Sequence, residues 1–499
     1  MEIDSLVQFV VVSFKMNIIE PILLQARYQP GAPALCAQGS DVISYARLVI
    51  QLNTIARCAL SLGLKTGNVV AISLEEPLLH SLFILGLTQI GVIPISVANH
   101  KPPAGLKIDA VISSRPYPFA PEARHFILDA DWMTGDGSPV ETCLCGSAAS
   151  EATCRIVLTS GSTGDPKAVA LTHNMVRARN ARFEYTFGNR FPAYSRIYIN
   201  MGLAAALGYQ FLTYMLARGG TIFFPGSDAE NTLRSFEIFG IEAMLTTPTT
   251  LGHFLTACDH HPSIDVHLDM IVSSGSPLPG SLIDRARPRI CSHLVTGYGS
   301  TETAMSATAP AQRIANIPGA AGYVTPGMRI EVVDDMDRPL PPGKEGAVRV
   351  SSEFGIDRYI DDPVESGHAF RNGWFYPGDL GTLTADHLLV ISGRQNDVLN
   401  AAGGKMAAEK LETALTSYAG VHEAAAFMVT NRHGLEEVWA AIVCKGKVDA
   451  EGLRAHCRHL MPSVFVPTHI LMVDSLPTNA TGKIDRQGLK STLTNTAAS

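Results

Sequence analysis

Between residues 43 and 299, segments with apolar residues at helical spacing alternate with short β-branched runs, and that alternation restricts the fold more than any other feature. Residues 43–64 and 78–90 carry the helical period, while Val69-Val70-Ala71-Ile72 and Val92-Ile93-Pro94-Ile95 read as strands. The pattern resumes with a strand at 196–199, an apolar helix over 203–216, and strands at 221–224, 243–246 and 270–272. Strand alternating with helix predicts α/β layers with largely parallel strands. Past Ala311, Gly/Pro-punctuated strands such as 330–333 and 347–350 predict a β-rich subdomain. From about Gln395 a compact α+β unit is expected, with a helix near 409–415 and a strand near 438–443. The reading is therefore an α/β fold: a large N-terminal domain (17–394) of layered α/β subdomains plus a β-rich subdomain, then a small α+β C-terminal domain (395–499).

Composition narrows the function. Of the 499 residues 46% are hydrophobic and 17% charged, which suits large cores and argues against disorder. A net charge of −7, with no Lys/Arg-rich run, leaves no electrostatic footprint for nucleic acid. The nine cysteines are scattered, as reduced thiols in a cytoplasmic protein are, and Cys143-x-Cys145 is too close for a usual zinc pair. His253, His260, His261 and His267 lack metal-ligand spacing. The apolar run 6–14 is too short to span a bilayer, and Glu2 and Asp4 precede it where a signal peptide is basic. Residues 1–16 are read as a disordered extension, with Met16 an alternative start, and no integral membrane segment is expected.

The run Thr159-Ser160-Gly161-Ser162-Thr163-Gly164-Asp165-Pro166-Lys167 follows a short apolar segment (154–158) that reads as a buried strand. Its glycines let backbone N–H groups approach a ligand, and its hydroxyls and Lys167 add donors suited to phosphate oxygens. It is not a Walker loop, which requires G-x-x-x-x-G-K-[ST]. Downstream, Thr172-His173-Asn174 is read as the cap of a helix from Met175. Five further motifs follow in order. Ser274-Gly275-Ser276-Pro277 reads as a strand-to-helix turn, and Gly297-Tyr298-Gly299-Ser300-Thr301-Glu302 as a turn carrying an acid after a strand at 293–296. Asp379 sits in a Pro-Gly turn within Trp374-Phe375-Tyr376-Pro377-Gly378-Asp379, and Gly393-Arg394-Gln395-Asn396 runs on to Gly403-Gly404-Lys405. Pro477-Thr478-Asn479-Ala480-Thr481-Gly482-Lys483 closes the set.

In this order the Gly/Ser run and the motifs after it resemble the adenylate-forming, AMP-binding superfamily of acyl-CoA synthetases, luciferases and peptide-synthetase adenylation domains, over about residue 17 to the end. The resemblance implies roles. Thr159, Ser160, Gly161, Ser162, Thr163, Gly164 and Lys167 would meet the phosphates of ATP, and Gly275 and Ser276 the adenine. Tyr298, with Gly299 and Ser300, would cover the adenine, Thr301 meet the α-phosphate and Glu302 help hold Mg²⁺. Asp379 would bind the ribose and Arg394 ribose or phosphate. Asn396, where the family often has aspartate, would be the hinge that makes the small C-terminal domain mobile, while Gly403 and Gly404 would border the pantetheine tunnel. Lys483 would bridge carboxylate and α-phosphate.

The implied reaction joins a small-molecule carboxylic acid to ATP, releasing pyrophosphate, and passes the acyl group from AMP to a thiol, coenzyme A by default. The acid pocket is expected around 200–208 and 246–250, with Met201, Ala205, Gly208 and Thr246 lining it. That stretch holds no acidic residue to pair an α-ammonium, so amino acids are disfavoured. The histidine many acyl-CoA ligases carry there is also missing. Residue 499 lies sixteen residues past Lys483, so a carrier-protein acceptor is expected to be a separate chain. A stand-alone carrier-protein ligase is the first alternative, and a degenerate nucleotide- or acid-binding copy the second. Oligomeric state is left open.

Overall fold

Capping converts the apolar periodicity into helices with fixed starts. The Ser44 side chain accepts a hydrogen bond from Arg47 N at 3.3 Å to open the helix Tyr45–Ser61, and the Glu76 carboxylate accepts from Leu78 N and Leu79 N at 3.0 and 2.6 Å to open Pro77–Gln89. The computed structural model describes residues 17–37, 42–97, 101–103, 105–135, 137–140, 151–159, 166–187, 195–226, 228–395, 398–401, 404–430, 436–444, 446, 448–477, 484, 486, 488 and 489. The extension at 1–16, Cys143 and Cys145 lie outside them. The seven described cysteines form no disulfide.

A first sheet runs Arg124–Ile127, Ala110–Ser113, Val69–Ser73, Ile93–Ser96, Thr153–Thr159, Lys167–Thr172. Its first five strands are parallel, and the last two form an antiparallel hairpin. A second, longer sheet has a parallel stretch in the order Pro33–Ala37, Thr221–Phe224, Arg196–Asn200, Ala243–Thr246, Met270–Ser274, Leu294–Ser300. One apolar core spans both sheets through the helices between them, including Leu48 and Leu52, Phe83 and Ile84, and Phe211 and Leu212.

The expected β-rich subdomain is hydrogen-bonded into that second sheet. Strand Leu294–Ser300 turns back into Ala304–Pro310, and antiparallel pairing continues through Ala320–Val324, Leu388–Arg394, Asp379–Leu383 and Gly346–Ser352. Two local readings change. Residues 168–171, expected only to lead into a helix, belong to the strand Lys167–Thr172, because Val157↔Val169 pairing buries both apolar runs. Gly297 to Ser300, expected as a turn, continue the strand Leu294–Ser300.

The C-terminal unit packs the helix Ala408–Thr416 against strands Val421–Thr430, Glu436–Cys444 and His469–Met472, with Leu411, Leu415, Ala424 and Ile442 in a core of their own. Lys410 Nζ meets Glu345 of the large domain at 3.1 Å.

Candidate active site

The hairpin of the first sheet closes on the register pair Thr159↔Lys167, the first and last residues of the Gly/Ser run. Ser160, Gly161, Ser162, Thr163 and Gly164 lie outside the described residues. Thr172 Oγ1 accepts from Met175 N at 3.1 Å and caps the following helix, His173–Phe187, as its sequence implies. Lys167 is nearly buried. Its ammonium pairs with the Glu365 carboxylate and lies 5.0 Å from the centre of the Tyr359 ring. Tyr359 Oη donates to Glu302 Oε1 at 2.9 Å, which joins the Lys167 end of the hairpin to the acid of the Tyr298–Glu302 motif. Burial and the Glu302 charge push the Tyr359 phenol far above its ordinary value, so it stays a donor.

Glu302 is only 6% exposed, at the turn between Leu294–Ser300 and Ala304–Pro310. Its backbone is clamped from behind. Arg179, from the helix after the hairpin, donates through Nη1 to Thr301 O at 3.0 Å, through Nη2 to Glu302 O at 3.1 Å, and through Nε to Phe354 O at 3.2 Å. A side chain at Gly299 would overlap the Ala304 carbonyl, so only glycine lets the two strands approach this closely.

The third group is the carboxylate of Asp379, 6% exposed. Strand pairing sets it opposite Arg394, whose Nε lies 3.3 Å from Asp379 Oδ1, while Tyr298 Oη donates to Oδ2 at 2.6 Å. Burial first, then the Asp379 charge, hold the Tyr298 phenol well above its ordinary value and keep it protonated. Gly275, at φ 104°, and Ser276 follow the register pair Ser274↔Gly297 and line the same cleft as Tyr298, Gly299, Ser300 and Thr301.

That cleft measures about 2810 Å³. Met201 and Ala205 line it, but Gly208 and Thr246 do not. Gly208 packs against the Gly202 carbonyl at the start of the helix Ala206–Ala217, where a Cβ would clash. Thr246 is fully buried and its hydroxyl is 2.7 Å from Thr250 Oγ1, in the capping cluster of the helix Pro248–His260; Thr247, Thr249 and Thr250 face the cleft instead.

The pattern of the AMP-binding enzyme family matches residues 117–359, and that of the AMP-binding enzyme C-terminal domain matches 410–483. This chain belongs to the AMP-binding enzyme family. The AMP-binding enzyme is an ATP-dependent acid ligase. It is 24% identical to the 4-chlorobenzoate–CoA ligase of Arthrobacter sp, over 94% of each chain. It is also 24% identical to the salicyl-AMP ligase / salicyl-S-ArCP synthetase of Mycobacterium tuberculosis (strain ATCC 25618 / H37Rv), over 90% of this chain and 85% of that one. Its fold is that of the O-succinylbenzoate coenzyme A synthetase (MenE) of Bacillus subtilis in complex with AMP, with a TM-score of 0.81 and 20% identity over 94% of this chain and 98% of that one.

In the AMP-binding enzyme Lys483, Asn396 and Gly403 lie outside the described residues, and Gly404 opens the strand Gly404–Ala407, opposite Ala401. Met406, Glu409 and Arg486 of the C-terminal unit line the cleft together with Arg394. The sequence reading missed Arg179, Tyr359 and Glu365. Arg179 breaks the pattern as a buried cation inside a helix, which was a usable signal; Tyr359 and Glu365 carry no motif. Among the described residues no group of three or more His, Cys, Asp or Glu gathers as a metal site, and no helix is long and apolar enough to cross a membrane.

Proposed function

We propose that the enzyme is a carboxylic acid–CoA ligase working through an acyl-adenylate. The observation that carries this is the meeting in one cleft of two fixed polar groups, Tyr298–Asp379–Arg394 and Lys167–Glu365–Tyr359–Glu302. Asp379, oriented by two partners, suits the two hydroxyls of a ribose, and Gly275 and Ser276 offer backbone beside Tyr298 for an adenine. Lys167 closes the Gly/Ser run, to which the phosphates are assigned; a triphosphate would compete with Glu365 for its ammonium. Glu302, a nearly buried carboxylate with one oxygen taken by Tyr359, fits a Mg²⁺ ion that takes the rest of its shell from phosphates and water. Such an ion, when bound, neutralises phosphate charge.

Both substrates of the first step are anions, so the protein's task is to hold a carboxylate oxygen against the α-phosphorus while charge gathers on the departing pyrophosphate. Lys167, Thr163 and Lys483 are assigned to that charge. Losing one such donor costs on the order of 10²–10³ in rate. The thiol of CoA then attacks the acyl carbon and AMP leaves with the bonding pair. For that step the C-terminal unit turns about Asn396, bringing Gly403 and Gly404 to the pantetheine arm.

A carrier-protein thiol in place of CoA is the second reading, favoured by the salicyl-S-ArCP synthetase relative. Mass spectrometry of one mixture tests both: protein, ATP, Mg²⁺, CoA and a pool of short, medium, long and aromatic acids. Acyl-CoA is the expected product. Acyl-adenylate without thioester would favour the carrier protein, and absence of AMP with every acid would favour a degenerate binding copy.

A further inference from the structure

Arg155 lies on the strand that leads into the phosphate loop and is fully buried. Its Nη2 donates to Ser96 Oγ at 2.8 Å and to Leu203 O at 2.7 Å, and its guanidinium carbon sits 4.6 Å from the centre of the Tyr209 ring. Among the described residues Nε and Nη1 have no hydrogen-bond partner, and no carboxylate pairs with the charge. A buried cation without a counter-ion is costly to maintain, and the adenylation chemistry above does not use it.

Its two hydrogen bonds show where the charge acts. Leu203 lies within the acid-pocket stretch, between Gly202 and Ala204, which both line the cleft. Ser96 ends the strand Ile93–Ser96 and lines the same cleft, so the acid pocket and Ser96 meet at the Arg155 guanidinium. Ser96 Oγ is also 2.7 Å from His80 Nε2. Burial, and then the Arg155 charge, push the His80 pKa down to about 3, so this ring is neutral. With the proton on Nε2, His80 and Arg155 both donate to Ser96 Oγ, and the hydroxyl hydrogen is left for the cleft. A hydroxyl whose oxygen accepts from a cation is a strengthened donor.

We propose that the acid used by this enzyme carries a second, anionic hydrogen-bond acceptor remote from its reacting carboxylate, received by Ser96 under the charge of Arg155; the substrate class is dicarboxylic. This rests on the ligase reading above. The other walls, Met201, Ala204, Ala205 and Leu207, are apolar and suit the connecting chain.

The test is AMP release by the full-length enzyme with ATP, Mg²⁺ and CoA. Straight-chain dicarboxylates are set against monocarboxylates of equal length, and benzene carboxylates with a second carboxylate against those without one. The wild type is expected to favour the dicarboxylate of at least one pair by about tenfold or more in kcat/KM. Ser96→Ala and Arg155→Met should each bring that ratio close to one. Ser96→Ala removes a single oxygen and decides the matter if Arg155→Met does not fold. Monocarboxylates used as well as their partners would overturn the inference and leave the ligase standing. A dicarboxylate preference unchanged in Ser96→Ala would overturn it equally. No AMP with any acid would remove the ligase reading, and the inference with it.

Discussion

Replacing Arg179 by methionine removes a buried cation that holds the backbone of Thr301, Glu302 and Phe354 together. The Glu302 carbonyl still accepts from Ile356 N at 3.0 Å, so it keeps a partner. The Thr301 and Phe354 carbonyls lose their Arg179 donors, and an orphaned buried acceptor costs about 1–3 kcal/mol. Both residues are partly exposed, and water offsets some of this, so about 2–4 kcal/mol is expected in total. Where it falls on the placement of Glu302, that is roughly 30- to 1,000-fold in rate. ATP–pyrophosphate exchange at graded Mg²⁺ concentrations reads it directly. Arg179→Met should lower exchange and raise the Mg²⁺ concentration for half-maximal rate about tenfold or more, by weakening a two-to-four kcal/mol support. Arg179→Lys should fall between, since it keeps the charge but not the fork of donors. A folded methionine variant with wild-type exchange and unchanged Mg²⁺ dependence would refute the positioning role.

Three further outcomes are expected. The Lys167 ammonium holds the Glu365 carboxylate below its ordinary value of 4.5. A depressed carboxylate stabilises the fold above its unfolded pKa, and that contribution is lost as pH falls through the folded value. The melting temperature of the wild type should therefore drop more between pH 6 and pH 3 than that of Glu365→Gln, and parallel curves would contradict the pairing. Gly299→Ala drives a methyl into the Ala304 carbonyl and should reduce adenylation by about a hundredfold or more through displacement of Tyr298 and Glu302, with unaltered exchange rates as the contrary result. Lys483→Ala should abolish adenylate formation yet still pass a supplied acyl-adenylate to CoA; equal loss of both steps would show that the lysine serves more than the first.

Much of the architecture was readable because its signals are local. Helical spacing over 43–64 and 78–90, the apolar runs at 69–72 and 270–272, and the changed texture past Ala311 each report on a few neighbouring residues. Motif order alone also pointed to the family. What failed was local in the same way. Gly297 to Ser300 look like a turn, but pairing with both Met270–Ser274 and Ala304–Pro310 keeps them extended. Thr246 and Gly208 stand in stretches that reach the cleft but do not line it themselves, because Thr246 is buried among the capping hydroxyls and Gly208 is packed on the Gly202 carbonyl.

The sequence by itself determined the alternating layers, the two-part chain and the order of motifs that marks the family. Only the tertiary structure decided how the residues of those motifs are held: Lys167 against Glu365, 198 positions away, Tyr359 against Glu302, 57 away, and Arg179 against the backbone of Thr301, 122 away. It also decided that Arg155 is buried against Ser96 and Leu203 beside the cleft, with no counter-ion among the described residues. Such contacts leave no periodic trace. They arise because two sheets sharing one apolar core bring the ends of distant strands to the same cleft, and charge or burial at one position then fixes the chemistry of another.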